Sequence, residues 1–279
     1  MRKGWIVGIV VAVVIFIIGV VIGVVAIFAP AAIESSASGD SSTTSGAPVE
    51  SDSDFGTVEV YTVLSDASLD PQPSGLTADI WETFTRVATP EVAASIVTEY
   101  RVGNSLTSDT VAYVYQSDDP TRWVLAANLA GSEDTSQLIA TLVHEYAHIL
   151  TLSVDQLAPS SDSCPTLTLD EGCADPNAVI EAFNERFWVG YGDTAPSPAN
   201  TDSDLAYSFY LEHEEDFVSD YAATNVVEDI AESFMTFVIS DPATGQNVAA
   251  QKLRFFESYP QYVELRERIR AEFAAELGL

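Results

Sequence analysis

The residues whose types and spacing are best suited to chemistry are two histidines and a glutamate near the middle of the chain. Residues 141–151 read TLVHEYAHILT, so His144, Glu145 and His148 form an H-E-x-x-H motif. Histidines four residues apart lie on one face of a helix, where both imidazoles can bind a single Zn²⁺. The glutamate can then act as general base toward a metal-activated water. Because the chain has only three histidines, a chance pairing of core histidines is a poor alternative.

A helix is predicted around this motif, and two strands are predicted before it. Apolar residues recur at helical spacing over residues 134–152, after a Gly-Ser-Glu-Asp break that is typical of a helix start. Residues 111–116 and 123–129 are rich in β-branched and aromatic residues, which favours two neighbouring strands. Residues 77–100 are predicted to be helical in two pieces, with a break at Pro90.

The chain after the motif is predicted to be mostly helical. Asp175 followed by Pro176 is typical of a cap and first turn, and it predicts a helix that runs to Trp188. Further helices are predicted over residues 204–215, 225–239, 246–258 and 260–277. A small early sheet followed by helices indicates an α+β fold.

A catalytic zinc needs a third protein ligand besides the two histidines. The metzincin pattern would place a histidine at position 154, but Val154 stands there, and His213 lacks a helix partner and is interpreted as a surface residue. The better candidate is Glu228, which shares a predicted helix with Glu232 one turn later. One carboxylate would bind zinc and the other would orient a ligand histidine. The open alternative is that Asn225 caps this helix and Glu228 completes a capping box.

The H-E-x-x-H helix followed by a helix with the motif E-x-x-A-E resembles the gluzincin branch of zinc peptidases over about residues 123–238. Within that branch the chain looks most similar to lethal-factor-like peptidases, which place a tyrosine seven residues before the ligand glutamate. The resemblance implies a zincin-like catalytic domain with Glu228 as the ligand. It also implies that Tyr221, which has the tyrosine position, donates a hydrogen bond to the oxyanion. An ordinary half-buried tyrosine is the open alternative for Tyr221.

Two features of other gluzincins are missing from this chain. No histidine follows Glu228, although thermolysin-like members use one there, and the Gly-Ala-Met-Glu-Asn motif of the aminopeptidases is absent. These absences favour endopeptidase action over aminopeptidase action. The predicted strand at residues 123–129 resembles the edge strand along which zincins align an extended peptide substrate.

The N-terminal 33 residues predict a single transmembrane anchor. Residues 4–33 carry no charge, and the strongly apolar part, residues 5–28, is long enough to cross a bilayer as a helix. Arg2 and Lys3 precede it, so the N-terminus is expected in the cytoplasm and the rest of the chain outside the cell. A cleaved signal peptide is the alternative, although its apolar core would be shorter.

The anchor is predicted to lead into a flexible linker and then into one folded domain. Gly19 and Gly23 form a G-x-x-x-G pair, which can let two helices approach closely and suggests a homodimer within the membrane. Residues 34–54 are rich in Ser, Thr, Gly and Asp without apolar periodicity, which is typical of a linker. The catalytic domain is therefore predicted over residues 55–279.

The cysteines and the charge narrow the expected environment and partners. Cys164 and Cys173 enclose eight residues, and a disulfide is the expected state outside the cytoplasm. Metal ligation by this pair has the wrong spacing, and two reduced buried cysteines are the other alternative. The net charge of −31 argues against nucleic-acid binding.

Together these features predict a membrane-anchored zinc endopeptidase whose partner is a peptide or protein substrate. Two alternatives remain open at this point. One is a non-catalytic zincin-fold binding module, and the other is a zinc hydrolase of a non-peptide amide in the cell envelope.

Overall fold

One mixed sheet forms the first half of the fold. The computed structural model describes residues 46–160 and 163–279. The strands are β1 (Val49–Asp52), β2 (Gly56–Val63), β3 (Leu69–Asp70), β4 (Val97–Gly103), β5 (Ala112–Gln116) and β6 (Trp123–Asn128). Their order is β1-β2-β4-β6-β5, with β3 beside β2; β4 and β6 are parallel and the other pairs are antiparallel. A separate two-stranded ribbon joins β7 (Leu157–Ala158) to β8 (Cys173–Ala174).

Among the described residues, α-helices pack against the sheet and build the second half of the fold. They are α1 (Leu76–Ala88), α2 (Pro90–Ile96), α3 (Thr135–Thr151), α4 (Val179–Phe187), α5 (Ser203–Glu212), α6 (Val226–Ile239), α7 (Val248–Phe255) and α8 (Pro260–Glu272). The long helix α3 packs against α1, α6 and the strand β5. A large apolar core joins the sheet to these helices. The predicted α+β character, with a small sheet first and helices after it, is therefore confirmed for the described residues.

The fold-class prediction was wrong in its membrane helix. Within the two ranges that the structure describes, no helix is both long enough and apolar enough to cross a membrane. The longest helix there, α3, has 17 residues and carries polar side chains along its length. The predicted anchor at residues 1–33, the membrane contact at residues 5–28 and the glycine pair Gly19 and Gly23 lie outside the described residues.

The ordered sheet begins before the predicted domain start at residue 55. Residues 49–52 fall inside the predicted linker, yet they form β1 and pair with β2. Asp52 accepts hydrogen bonds from the backbone N–H groups of Asp54 and Phe55 and so closes the hairpin turn. An edge strand with mostly exposed residues has no apolar periodicity, which is why its composition looks like that of a linker.

Several predicted helix boundaries were also wrong. The helix α5 ends at Glu212 rather than at residue 215, and α8 ends at Glu272 rather than at residue 277. Residues 97–100 continue as β4 rather than as helix, because β-branched and aromatic residues there pair with β2 and β6 on both sides. The predicted break at Pro90 is correct, since Thr89 caps α2 and Pro90 is its first residue. The helix after the cysteines begins at Val179 rather than at Asp175, whose side chain instead accepts the N–H of Asn177 in a turn.

The edge strand was assigned to the wrong segment. All six residues of β6 are buried, and β6 lies between β4 and β5. The continuous apolar run of residues 123–127 is typical of a strand covered on both faces. The free edge beside α3 therefore belongs to β5, residues 112–116.

Candidate metal centre

The two motif histidines and Glu145 lie in the middle of α3. Asp134 caps this helix by accepting the N–H of Gln137 at 2.9 Å, so its register places the histidines one turn apart on the side that packs against α6. His144, Glu145 and His148 are all buried. Polar side chains at such depth need partners, and α6 supplies them to the two histidines.

Three ligand atoms converge between α3 and α6. The Nε2 atoms of His144 and His148 are 2.9 Å apart, and Glu228 Oε2 lies 3.2 Å from the first and 3.5 Å from the second. Among the described residues, these three form a buried His-His-Glu group that could hold a metal ion. Glu228 Oε2 is itself buried without a well-formed hydrogen bond. Convergent lone pairs and an unsatisfied buried carboxylate oxygen are the donor set that a divalent cation satisfies.

In the first turn of α6, one residue caps the helix and another faces the histidines. Asn225 Oδ1 accepts the backbone N–H groups of Val227 and Glu228 at 2.8 and 2.9 Å, so Asn225 does cap the helix. The Glu228 carboxylate, however, faces the two imidazoles instead of the Asn225 backbone. Ala231, fully buried on the same helix, is small enough to let α6 approach α3 closely.

Glu232 contacts the His144 ring at Nδ1, the nitrogen that does not face Glu228. Its Oε1 atom lies 2.9 Å from His144 Nδ1, and its Oε2 atom accepts a hydrogen bond from the Ser219 hydroxyl at 2.6 Å. A neutral His144 ring that donates from Nδ1 to Glu232 has its lone pair on Nε2, the atom that faces Glu228 and His148. The structure thus brings the two glutamates of α6 to different atoms of the same histidine.

Tyr221 lies beside the same group, in a short 3₁₀ turn just before α6. Its ring centroid is 6.0 Å from that of His144, and the residue is buried. Burial and the negative charges of Glu228 and Glu145 raise the pKa of the Tyr221 phenol. The phenol therefore stays protonated and can donate a hydrogen bond.

The charges of the centre act on one another. Burial raises the pKa of Glu145 to about 7, although the nearby histidines His144 and His148 oppose that shift. The Val114 backbone N–H of the edge strand also lowers the Glu145 pKa, which indicates that β5 borders this carboxylate. For Glu228, burial acts upward, but the two imidazoles outweigh it and hold the pKa below its usual value.

The third histidine and the two cysteines lie outside this group of three residues. His213 is partly exposed, and its Nδ1 atom lies 3.6 Å from Asp216 Oδ2, outside the metal group. Cys164 and Cys173 form the predicted disulfide, with a Cα–Cα distance of 5.6 Å. The bond ties Cys164 to the first residue of β8.

The sequence interpretation missed two polar groups next to the centre. Ser219 is two residues before Tyr221, and no residue pattern distinguishes it from the other serines of a serine-rich chain. Asp229 follows Glu228 and binds Lys252 Nζ at 2.6 Å and the Trp188 indole N–H at 2.7 Å. Lys252 is the only lysine apart from Lys3, and this rarity was the one available signal.

Comparisons of the chain with protein-family models, with curated proteins and with solved structures find no significant match. The interpretation of this centre therefore depends on the residues and distances given above.

Proposed function

We propose that this protein is a zinc-dependent endopeptidase of the gluzincin type, related in its chemistry to lethal-factor-like peptidases. The observation that carries the proposal is the convergence of His144 Nε2, His148 Nε2 and Glu228 Oε2, at 2.9–3.5 Å from one another, beside a buried Glu145. Two imidazoles and one carboxylate are the ligand set of gluzincin zinc sites, which leave a coordination position open. When bound there, zinc would supply Lewis-acid polarisation of the scissile carbonyl.

The remaining chemistry belongs to side chains of this chain. Glu145 takes the proton of the attacking water and delivers it to the leaving amine nitrogen. In the metal-free protein, burial raises the Glu145 pKa to about 7, and a bound divalent cation would lower it, which favours the ionised form that a general base needs. The Tyr221 phenol donates a hydrogen bond to the oxyanion that develops on the carbonyl.

The substrate proposal follows from the position of β5. This strand has a free edge and its Val114 N–H is close enough to Glu145 to affect the carboxylate. An extended peptide pairing with that edge would present its backbone to Glu145 with little dependence on sequence. Peptide or protein segments in extended form are therefore the proposed substrates.

The proposed compartment is outside the cytoplasm. The support is the Cys164–Cys173 disulfide, since such bonds form and persist in oxidising compartments.

The decisive experiment is digestion of a peptide library by the full-length chain, with and without a chelator. We expect cleavage at internal peptide bonds that the chelator abolishes and added zinc restores. Replacement of Glu145 by Gln should leave one zinc per chain and lower kcat/KM by roughly 10²- to 10⁴-fold, as expected for loss of a general base.

Three results would contradict this assignment. Full activity of Glu145→Gln would remove the proposed base. Zinc uptake without any cleavage would favour a non-catalytic binding module, and cleavage confined to non-peptide amides of cell-envelope material would favour the other hydrolase class.

A further inference from the structure

The hydroxyl of Ser219 completes a chain of hydrogen bonds that ends at a proposed metal ligand. Ser219 Oγ donates to Glu232 Oε2 at 2.6 Å, and Glu232 Oε1 lies 2.9 Å from His144 Nδ1. We propose that Ser219 is a positioning residue of the metal centre, which holds the Glu232 carboxylate in the orientation that fixes the His144 ring. This inference rests on the proposed function, because it treats His144 as a metal ligand.

Both hydrogen-bonding capacities of this hydroxyl are used. While Ser219 Oγ donates to Glu232, it also accepts the backbone N–H of Ala222 at 3.1 Å. The two contacts together determine the direction of the O–H bond. Tyr221 lies between Ser219 and Ala222 in the chain, so the same hydroxyl joins the turn that carries Tyr221 to the helix that carries Glu232.

Burial makes the orientation of Glu232 depend on this contact. Glu232 is 2% exposed, and a buried carboxylate oxygen that loses its donor turns toward another donor or admits water. Either change would loosen the Nδ1 contact of His144, which sets the tautomer and the direction of Nε2. Ser219 therefore acts on the metal through Glu232 without touching it.

The test measures zinc affinity of the full-length protein by competition with a chromogenic chelator. Ser219→Ala should weaken zinc binding by about 3- to 10-fold, less than the 10- to 100-fold typical when a direct partner of a ligand histidine is lost. Ser219→Thr keeps the hydroxyl and should restore most of the affinity. In a Glu232→Ala background, Ser219→Ala should cause no further loss.

Ser233→Ala is the matched control. Ser233 is a buried serine of α6, and its hydroxyl contacts the carboxylate of Asp229 at 3.3 Å instead of Glu232. Its replacement should leave zinc affinity unchanged. An equal loss in Ser233→Ala and Ser219→Ala would overturn the proposal, because general loosening of α6 would explain both. An undiminished effect of Ser219→Ala in the Glu232→Ala background would overturn it as well.

A second measurement separates this inference from the proposed function. If the wild-type protein takes up no zinc, the proposed function fails. The effect of Ser219 on the His144 ring can still be measured in the metal-free protein. In ¹⁵N-edited NMR spectra the His144 Nδ1 proton should exchange slowly in the wild type and faster in Ser219→Ala. Equal exchange rates in the two proteins would overturn the positioning role.

Discussion

Two glutamates one helical turn apart face different atoms of the candidate centre. Glu228 faces the Nε2 atoms of both histidines, whereas Glu232 faces Nδ1 of His144 alone. Because α6 repeats every 3.6 residues, positions 228 and 232 lie on one side but at different heights along the helix axis. This difference in height places the Glu228 carboxylate beside Nε2 of His144 and the Glu232 carboxylate beside Nδ1 of the same ring.

Replacing each of these glutamates by Gln should therefore have different consequences for metal binding. Glu228→Gln removes a charged ligand, and we expect it to abolish stoichiometric zinc binding. Glu232→Gln should weaken binding by roughly 10- to 100-fold, because only the orientation of His144 is affected. Isothermal titration with zinc would measure both. Equal losses in the two variants would contradict the assigned division of roles.

Among the elements, α6 is held by side chains at both of its ends. Asn225 caps its first turn, and Arg266 and Arg270 donate to the carbonyl groups of its last turn, including Ser240 O at 2.7 and 2.8 Å. Cations near a helix C-terminus also interact favourably with its dipole. Next to Glu228, Asp229 is bound by the buried amine of Lys252 at 2.6 Å. The helix that contributes both glutamates is thus fixed from several directions.

The N-cap of α6 should affect metal binding as well as stability. We expect Asn225→Ala to lower the free energy of unfolding by about 1 kcal/mol, as for other caps, and to weaken zinc binding, because the cap orders the turn that carries Glu228. Asn247→Ala is the control, since Asn247 caps α7 by accepting the N–H of Ala250 at 3.1 Å. That variant should lose similar stability and keep its zinc affinity.

Urea unfolding would measure the free energy of unfolding of both cap variants, and titration with zinc would measure their zinc affinity. If Asn247→Ala lost as much zinc affinity as Asn225→Ala, the proposed link between this cap and the ligand would be wrong.

The disulfide should stabilise the loop between β7 and α4. Cys164 and Cys173 are nine positions apart, and a cross-link of that span reduces the entropy of the unfolded chain by an amount worth about 2–3 kcal/mol. Replacing both cysteines by Ser should lower the free energy of unfolding by about that amount. Urea titration of the variant, with the wild type before and after reduction as controls, would measure it. No difference between reduced and oxidised wild type would show that the bond constrains nothing.

At the scale of the whole molecule, charge is strongly unbalanced. The chain has 42 Asp and Glu residues against 11 Lys and Arg residues. Several of these cations are engaged within the fold, including the buried Lys252 and the arginines of α8 that bind backbone carbonyls. The acidic surface is therefore largely uncompensated, and its mutual repulsion opposes the compact state.

Salt should consequently stabilise the folded protein. Raising the NaCl concentration from low ionic strength should increase Tm, with most of the gain reached by about 1 M, where the Debye length is about 3 Å. Thermal unfolding followed by circular dichroism would measure it, and sucrose at equal osmolality would control for effects that do not arise from screening. A Tm that falls with NaCl would mean that attractive ion pairs outweigh the repulsion.

The sequence by itself determined the features that arise from local periodicity and spacing. The helical repeat around His144 and His148 and the pairing of Cys164 with Cys173 follow from residues close together in the chain. The cap at Asn225, which the sequence left as an open alternative, is a local feature as well. The same is true of the α+β succession of elements. Hydrophobic periodicity reports which side of an element is buried, and that information is local.

Only the tertiary structure decided which distant elements meet. Residues 97–100 became a strand because β2 and β6 lie on either side of them, and β6 became an interior strand because β5 covers its outer edge. Ser219 reaches Glu232 because the turn before α6 packs against that helix. Lys252 reaches Asp229 because α7 packs against α6. Strand neighbours and long-range hydrogen bonds are selected by the free energy of the whole packed core, which no local pattern of residues records.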